Sequence, residues 1–445
     1  MFERPRGTRD FGTDEMSRRL HFENLLEERS RRHGFKRVQT PIFENLDLFT
    51  AKSGPGVIGQ LYAFQDKGER DLTLRPELTA PVMRMVAAER GQMPKPVKLS
   101  YYGPCFRYEE FKTGRYREFF QYGCELVGAT GPLAEAEVVA LAVDMLSSCG
   151  LVDWELRIGH VGVLNDILSG IGLSNEASSG QTEPPIASAM RLLDKGDWDG
   201  LAGLFDSNNV DGSAISSLQK LAELSGGVET LSSAREILSE LSVSQDSLDE
   251  LETLCSALGK LAIAPPSLSV NLCVARGLDY YTGMVFEAHV EELGGEGQVL
   301  GGGTYRLLHL FNLEDLDPCC GFGLGFDRVL LALEAQAKRL GRDEVVSGEN
   351  SGQPSLAVIP LNIDAEIILP LIHELREKGL AVELELRPRK LGKSLTWADN
   401  MGATHAIIVG QRDLESGEVA LKNLSTGEQI TVANNVDSIF SEIVK

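Results

Sequence analysis

Apolar residues recur at helical spacing between Thr13 and Gly34, where Met16, Leu20, Leu25 and Leu26 share a face, Asp14 stands near the start and Gly34 supplies a stop. This pattern predicts an opening helix. Val38–Phe49 then reads as strand and turn, and Asp71–Glu89 as a strand leading into a helix. Two segments rich in aromatic and β-branched residues, Val97–Glu109 and Tyr116–Gly128, flank the six residues EFKTGR. They predict a hairpin with a mobile, basic loop. Val138, Leu141, Ala142, Met145 and Leu146 follow the i, i+3, i+4, i+7, i+8 pattern of a packed helix, so that face belongs to the core.

From 165 to 266 the texture changes to short Leu/Ala/Glu stretches broken by Ser, Asn and Gly, which predicts a helical insertion. Strand signals return in Ser269–Val290, and Gly321–Gln336 predicts a glycine-led strand running into a helix. The insertion therefore interrupts one sheet-based domain spanning residues 1–335. Residues 336–354 are expected to link it to a second domain, with a polar Gly/Ser stretch from Gly341 to Pro354. Over 355–445, the strand patterns LAVIPL, AVELEL, HAIIVG, EVALKNL and QITV alternate with a helix at Ala365–Lys378 and an amphipathic helix at the end. That alternation predicts a small α/β unit.

Composition narrows the functional classes. The chain has 445 residues, 42% hydrophobic and 24% charged, long enough for two or three domains and too apolar for general disorder. No apolar run approaches the length of a spanning helix and the first residues lack an apolar signal core, so a cytoplasmic protein is expected. Seven cysteines, Cys105, Cys124, Cys149, Cys255, Cys273, Cys319 and Cys320, form no C-x-x-C pair. Buried free thiols and no structural metal are expected. A net charge of −22 argues against non-specific nucleic-acid binding, because phosphate contacts need Lys and Arg to release counterions. An RNA partner would have to meet local basic patches, such as Lys112, Arg115 and Arg117, or Arg387, Arg389, Lys390 and Lys393.

Two nucleotide-binding motifs fail. Gly392–Lys393–Ser394 resembles the end of a P-loop, but Arg387 stands where its first glycine must be. GFGLG at 321–325 is not G-x-G-x-x-G, and no βαβ unit surrounds it. Arginines offer another route. Arg107, Arg276 and Arg328 each lie in an apolar, strand-like context where an unpaired guanidinium is costly. A single one is most simply read as a buried ion pair. Three, each adjoining glycine or an aromatic, favour an anion site on a sheet floor.

These segments carry a family resemblance. Arg107–Tyr108–Glu109 with Arg117 and Phe119 resembles the second signature motif of class II aminoacyl-tRNA synthetases, GFGLGFDR resembles the third, and Pro41 in VQTPIFE is similar to the proline of the first. LRPELTA (Leu74–Ala80), FFQYGCE (Phe119–Glu125) and RGLDYYTG (Arg276–Gly283) are narrower and resemble the histidine-specific family of that class. LGKSLTWADNMGATHAIIVG is similar to that family's anticodon-binding domain. The resemblance implies an α+β catalytic domain built on an antiparallel sheet flanked by helices, with the helical insertion, plus a C-terminal α/β anticodon-binding domain.

It further implies ATP and histidine as substrates, Mg²⁺ accompanying ATP, tRNA(His) as the acceptor and a homodimer formed through the Pro41 region. Arg107 would hold the α-phosphate and the histidine carboxylate, with Arg276 facing the α-phosphate from the other side. Glu109 and Phe119 would take the adenine, and Arg328 the γ-phosphate. Glu77 and Thr79 would hold the amino group, Gln121 and Tyr280 would line the histidine site, and Glu125 and Tyr281 would hydrogen-bond the imidazole. Lys112, Arg115, Arg117, Arg389 and Lys393 are the candidate tRNA contacts. Departures exist: Thr304 and Arg306 replace the family's frequent Arg and Asp after Gly301–Gly303, and Leu78 stands where glycine is frequent. The glycines are expected to let backbone approach substrate. The alternative reading is a non-catalytic paralogue that senses histidine or regulates histidine biosynthesis.

Overall fold

The computed structural model describes residues 2–53, 55–89, 93–108, 116–176, 183–224, 226–261, 264–272, 281–342 and 355–444. The chain divides into two compact units, Met1–Gly348 and Glu349–Lys445.

In the first unit, strands β1 (Lys36–Arg37), β2 (Phe43–Asn45), β3 (Tyr62–Gln65), β4 (Asp71–Leu74), β5 (Val97–Phe106), β6 (Glu118–Val127), β7 (Glu155–His160), β8 (Ser267–Val270), β9 (Tyr281–His289), β10 (Gln298–Tyr305) and β11 (Cys319–Gly325) form two sheets. The larger has the order β1-β5-β6-β11-β10-β9-β7-β8. Its six inner strands are antiparallel, and each edge adds a parallel neighbour, β1 on β5 and β8 on β7. A small sheet, β2-β4-β3, lies beside it in the chain order. The expected hairpin is β5 and β6, paired from Val97↔Val127 to Phe106↔Glu118. Its connecting loop falls outside the described residues.

Helices α1 (Thr13–Arg32), α2 (Asp47–Ser53), α3 (Thr79–Ala88), α4 (Pro132–Ser148), α5 (Val161–Gly170), α6 (Pro185–Lys195), α7 (Trp198–Ser207), α8 (Ser213–Glu223), α9 (Thr230–Glu240), α10 (Asp246–Lys260) and α11 (Phe326–Leu340) complete this unit. Helix α1 carries Asp14 and Glu15 in its first turn and Arg29, Arg31 and Arg32 in its last, opposing its dipole at both ends. Helix α4 is buried on nearly every side, which explains why its apolar residues exceed a single stripe. Pro132 starts it, where a missing N–H costs nothing. At α5, the buried His160 imidazole accepts from the Gly162 N–H through Nδ1, and burial pushes its pKa down to about 4.

Two expected boundaries shift. The insertion was expected to begin at residue 165, but that position lies inside α5, which begins at Val161; β7, just before it, carried too short an apolar pattern to be read. Helix α11 continues to Leu340, past the expected start of the linker at 336. The insertion helices share one apolar core with the sheet, in which Phe205, Leu218 and Leu251 join Leu156, Phe286 and Phe322.

Strands β12 (Ser355–Leu361), β13 (Ala381–Leu384), β14 (His405–Gly410), β15 (Glu418–Asn423) and β16 (Gln429–Ala433) make the second unit's sheet, ordered β13-β12-β14-β15-β16. Helices α12 (Leu369–Glu377), α13 (Leu391–Asn400), α14 (Gln411–Ser416) and α15 (Val436–Ile443) accompany it. Along β12, Leu356 and Val358 pack with Ile372 and Ile439, whereas Ala357 and Ile359 pack with Ala398. Side chains alternate between faces, so a strand covered on both sides must be apolar throughout. The strand read in AVELEL stops early: β13 ends at Leu384 and Leu386 is 83% exposed beyond it.

Candidate active site

Alternation also builds the pocket. On β6, Phe119, Gln121, Gly123 and Glu125 share one face of the large sheet; Tyr122, Cys124 and Leu126 face the helical core. Register brings Gly321, Gly323 and Gly325 of β11 opposite Glu125, Gly123 and Gln121. Glycines at these positions remove side chains from the floor, and polar side chains from neighbouring strands lie across the space. A Cβ on Gly321 would stand 1.7 Å from Glu125 Oε2, and one on Gly123 would stand 2.4 Å from the Tyr101 ring. The hollow is lined by Glu77, Thr79, Arg107, Tyr116, Phe119, Gln121, Tyr281, Gln298, Asp327 and Arg328, among others.

Of the three glycines in β10, Gly301 lines the pocket, while Gly302 and Gly303 make room for the protein itself. Gly302 faces away from the pocket, where a Cβ would meet the Gly321 carbonyl oxygen at 2.4 Å and the Phe286 ring at 2.8 Å. A Cβ on Gly303 would meet the Met284 carbonyl oxygen at 2.4 Å and the Tyr281 ring at 2.9 Å. Both admit the protein's own backbone and aromatics. Thr304, in place of the frequent arginine, donates to the buried Glu135 carboxylate, while Arg306 is exposed.

Arg107 immediately follows β5. Its Nε donates to the Pro76 carbonyl at 3.0 Å and its guanidinium lies 5.1 Å from the centre of the Phe119 ring. Arg328 departs from the strand context read in the sequence: it sits in the first turn of α11, where Nη1 donates to the Gln298 carbonyl at 2.9 Å. Glu77 caps α3, accepting from the Thr79 N–H at 2.7 Å and the Ala80 N–H at 3.1 Å. Cys105 Sγ donates to Gln121 Oε1 at 3.3 Å, which orients the amide. Arg75, 2% exposed, donates to the carbonyls of Thr40, Pro41 and Pro104 and so ties the Pro41 turn to β5.

Glu125, on the pocket-side face of β6, is 1% exposed. Its two oxygens accept from the Tyr101 hydroxyl at 2.7 Å and the Tyr305 hydroxyl at 2.5 Å, and Tyr101 in turn meets Thr79 Oγ1 at 3.3 Å. Tyr101 and Tyr305 are residues that sequence reasoning missed, as are Tyr116, Gln298 and Asp327. For Tyr101 a signal existed, since it shares a face of β5 with the positions opposite the pocket-facing residues of β6. Tyr281, Thr79 and Gln121 lie with Glu77 and Arg107 around the pocket. Glu109, Lys112, Arg115, Arg276 and Tyr280 lie outside the described residues, as does Cys273. The other six cysteines are buried free thiols. Arg389 pairs with buried Glu385 at 2.9 Å and lies 5.4 Å from the Trp397 ring centre, and Gly392–Ser394 open α13.

Burial pushes the Glu125 carboxyl up to about 7, against the lowering pull of the two phenols and Thr79. The folded protein then holds a proton that an unfolded chain loses above 4.5, so stability should fall as pH rises from about 4.5 to about 7. At about 1.4 kcal/mol per unit the loss approaches ~3 kcal/mol. Chemical denaturation of the unsubstituted protein and Glu125→Gln across this range should show their difference in unfolding free energy drifting by that amount. A constant difference would mean that the carboxyl stays ionised throughout.

The family profile described as histidyl-tRNA synthetase matches residues 7–329, and an anticodon binding domain profile matches residues 355–444. A histidine–tRNA ligase of Archaeoglobus fulgidus is 41% identical over 439 residues, covering 99% of this chain and 98% of its own. Among solved structures, apo histidyl-tRNA synthetase of S. aureus superposes with a TM-score of 0.68 at 27% identity, covering all of both chains. A Bacillus halodurans chain titled ATP phosphoribosyltransferase regulatory subunit/histidyl-tRNA synthetase gives 0.74 at 25% identity, over 92% of this chain and 98% of its own. A largely antiparallel sheet with arginines set at its glycine-carved face is the catalytic architecture of class II aminoacyl-tRNA synthetases. Within that class, the chain belongs to the histidyl-tRNA synthetase family.

Proposed function

We propose that this protein is a histidine–tRNA ligase, which joins histidine to ATP as histidyl-adenylate and passes the histidyl group to the 3′ end of tRNA(His). The observation that carries this reading is the polar pocket itself, where Arg107, Arg328, Glu77, Thr79 and Gln121 converge beside the Tyr101–Glu125–Tyr305 network. The histidine carboxylate attacks the α-phosphorus and pyrophosphate leaves; the terminal ribose hydroxyl of the tRNA then attacks the adenylate carbonyl, losing its proton as AMP departs. Alignment and cations placed where charge develops supply most of the catalysis.

In this reading Arg107 holds the α-phosphate and the histidine carboxylate, Phe119 and Glu109 hold the adenine, and Arg328 holds the γ-phosphate. Arg276 faces the α-phosphate from the opposite side. Glu77 spends part of its carboxylate on capping α3, and its remaining lone pairs and Thr79 take the amino group. Gln121, Tyr280 and Tyr281 line the side-chain pocket. Glu125 accepts from two phenols already, so it reads the imidazole together with Tyr101 and Tyr305 as one network. A site built to satisfy both ring nitrogens rejects isosteres without editing.

Among the described residues no group of three or more His, Cys, Asp or Glu is arranged to hold a metal. In this reading Mg²⁺ enters with ATP, with phosphate and water oxygens as its main ligands. The ion would offset charge on the leaving pyrophosphate. Exposed Ile42 and Phe43, next to Pro41, support a homodimer through that region. The second unit supports tRNA binding, with Arg389 and Lys393 as contacts there and Lys112, Arg115 and Arg117 at the acceptor end. Among the described residues no helix is long and apolar enough to cross a membrane; the cytoplasmic site of action belongs to the tRNA-charging reading. Retention of the second unit weighs against a non-catalytic regulator.

Amino-acid-dependent exchange of pyrophosphate into ATP, run across all twenty amino acids, tests the proposal. Histidine alone should support exchange. Equal exchange with another amino acid, or none with histidine, would overturn the reading.

A further inference from the structure

One amide in the pocket has unlike surroundings at its two ends. The pairs Gly103↔Gln121 and Cys105↔Phe119 make Cys105 of β5 and Gln121 of β6 diagonal neighbours on one face of the sheet. Cys105 is fully buried, and burial pushes its thiol up to about 12, so it stays protonated and acts as a donor. It donates to Gln121 Oε1 at 3.3 Å. Arg75 and Arg107 lie close enough to the thiol to pull its titration the other way. This end of the amide therefore sits in a cationic field, which favours the carbonyl oxygen over the NH2 group.

The nitrogen end lies over the floor. Beyond the glycine's own chain neighbours, the nearest described atom to a Cβ on Gly323 would be Gln121 Nε2, at 3.8 Å, and both residues line the pocket. Gly103 and Gly325, opposite Gln121 on the two flanking strands, bring no side chain to crowd the amide. Along this face of β6 the order is Phe119, Gln121, Gly123, Glu125. With adenine at Phe119 and the imidazole at Glu125, Gln121 stands between them, at the level of the group that joins amino acid to nucleotide. An N–H donor there suits an anionic oxygen and is unsuited to an ammonium, for which Glu77 and Thr79 remain.

Resting on the ligase reading, we propose that Cys105 is a positioning residue for histidine: its thiol holds the Gln121 amide with the oxygen turned toward β5, so that Nε2 is presented to the histidine carboxylate beside Arg107. The buried thiol itself touches no substrate. Its influence runs through one hydrogen bond to Gln121, and so is confined to ligands that carry a carboxylate.

Calorimetric titration of the full chain with histidine and with histidinol, which keeps the imidazole and the amino group but has an alcohol in place of the carboxylate, tests this. Cys105→Val, which fills the site without a donor, should weaken histidine binding about three- to tenfold, the scale of one hydrogen bond, and leave histidinol within about twofold. Cys105→Ser, which keeps a donor, should bind both ligands within about twofold of the unsubstituted protein. Gln121→Glu replaces the presented N–H with a carboxylate oxygen and should weaken histidine by more than about tenfold, with histidinol weakened far less. That variant leaves Cys105 in place and keeps the inference testable should the valine variant fail to fold. Preserved histidine affinity in Gln121→Glu would mean that the amide oxygen faces the substrate amino group. Equal weakening of both ligands by Cys105→Val would mean a packing role, and a loss in Cys105→Ser as large as in Cys105→Val, or no loss in either, would mean that the thiol donor is irrelevant. Each of these results would overturn the inference alone. Absence of histidine binding to the unsubstituted protein would overturn the ligase reading and this inference together.

Discussion

Replacing Arg107 with alanine is expected to slow adenylate formation by about 10²–10³-fold, the usual scale for one lost electrostatic stabiliser. The expectation rests on placement. Arg107 leaves β5 at the pocket floor, fixed through Nε to the Pro76 carbonyl and held over Phe119, and it lines the cavity. An arginine held this way needs no reorganisation when charge builds on the α-phosphate. Arg107→Lys should recover only a fraction of the rate, because an ammonium cannot present two parallel donors to two oxygens. The competing account is a structural one, in which Arg107 merely ties β5 to the segment before α3. On that account the alanine variant would melt early yet react at a near-normal rate per folded molecule in a single-turnover assay, and that outcome would rule out the catalytic role.

Gly321→Ala should be the most damaging single methyl in the floor. Its Cβ would come within 1.7 Å of Glu125 Oε2 and 2.6 Å of the Cys124 carbonyl oxygen. A flexible carboxylate elsewhere would step aside, but this one is held by Tyr101 and Tyr305 and is fully buried. The carbonyl belongs to the paired strand β6 and cannot move without opening the ladder. Overpacking of this kind costs about 3 kcal/mol. We expect a lower melting temperature together with a histidine KM raised at least tenfold and an ATP KM changed much less. Near-wild-type stability and histidine KM would show that Glu125 is not locked as described.

The sequence exposed much of this architecture, for reasons specific to each element. The β5–β6 hairpin was legible because both strands are long and rich in aromatic and β-branched residues. β12 was legible because coverage on both faces leaves an unbroken apolar run. β7, six residues between a loop and α5, offered too few positions to establish a period, which is why neither it nor the start of α5 was read. For the pocket, chain-local motifs pointed to Glu77, Arg107, Phe119, Gln121 and Arg328. Tyr101 and Tyr305 escaped because their significance comes only from cross-strand register, which brings residues about 200 positions apart to one carboxylate. The role of Gly302 and Gly303 escaped for the same reason: what they make room for, Phe286 and Tyr281, lies on another strand.

The register of β6 against β11 also bears on how the protein is made. β6 ends at Val127 and its inner partner β11 begins at Cys319. Roughly 190 residues must be synthesised in between, which at 5–20 residues per second leaves the inner side of the hairpin open for about 10–40 s on the ribosome. During that interval β6 offers unpaired backbone donors and acceptors beside Tyr122, Cys124 and Leu126, a sticky edge that invites pairing with a neighbouring nascent chain. Asp327, the anchor for Arg9 and Arg19, emerges later still. The nascent chain therefore has no complete pocket until nearly the whole first unit has been translated, and crowding of ribosomes on one message should be felt first as aggregation through β6.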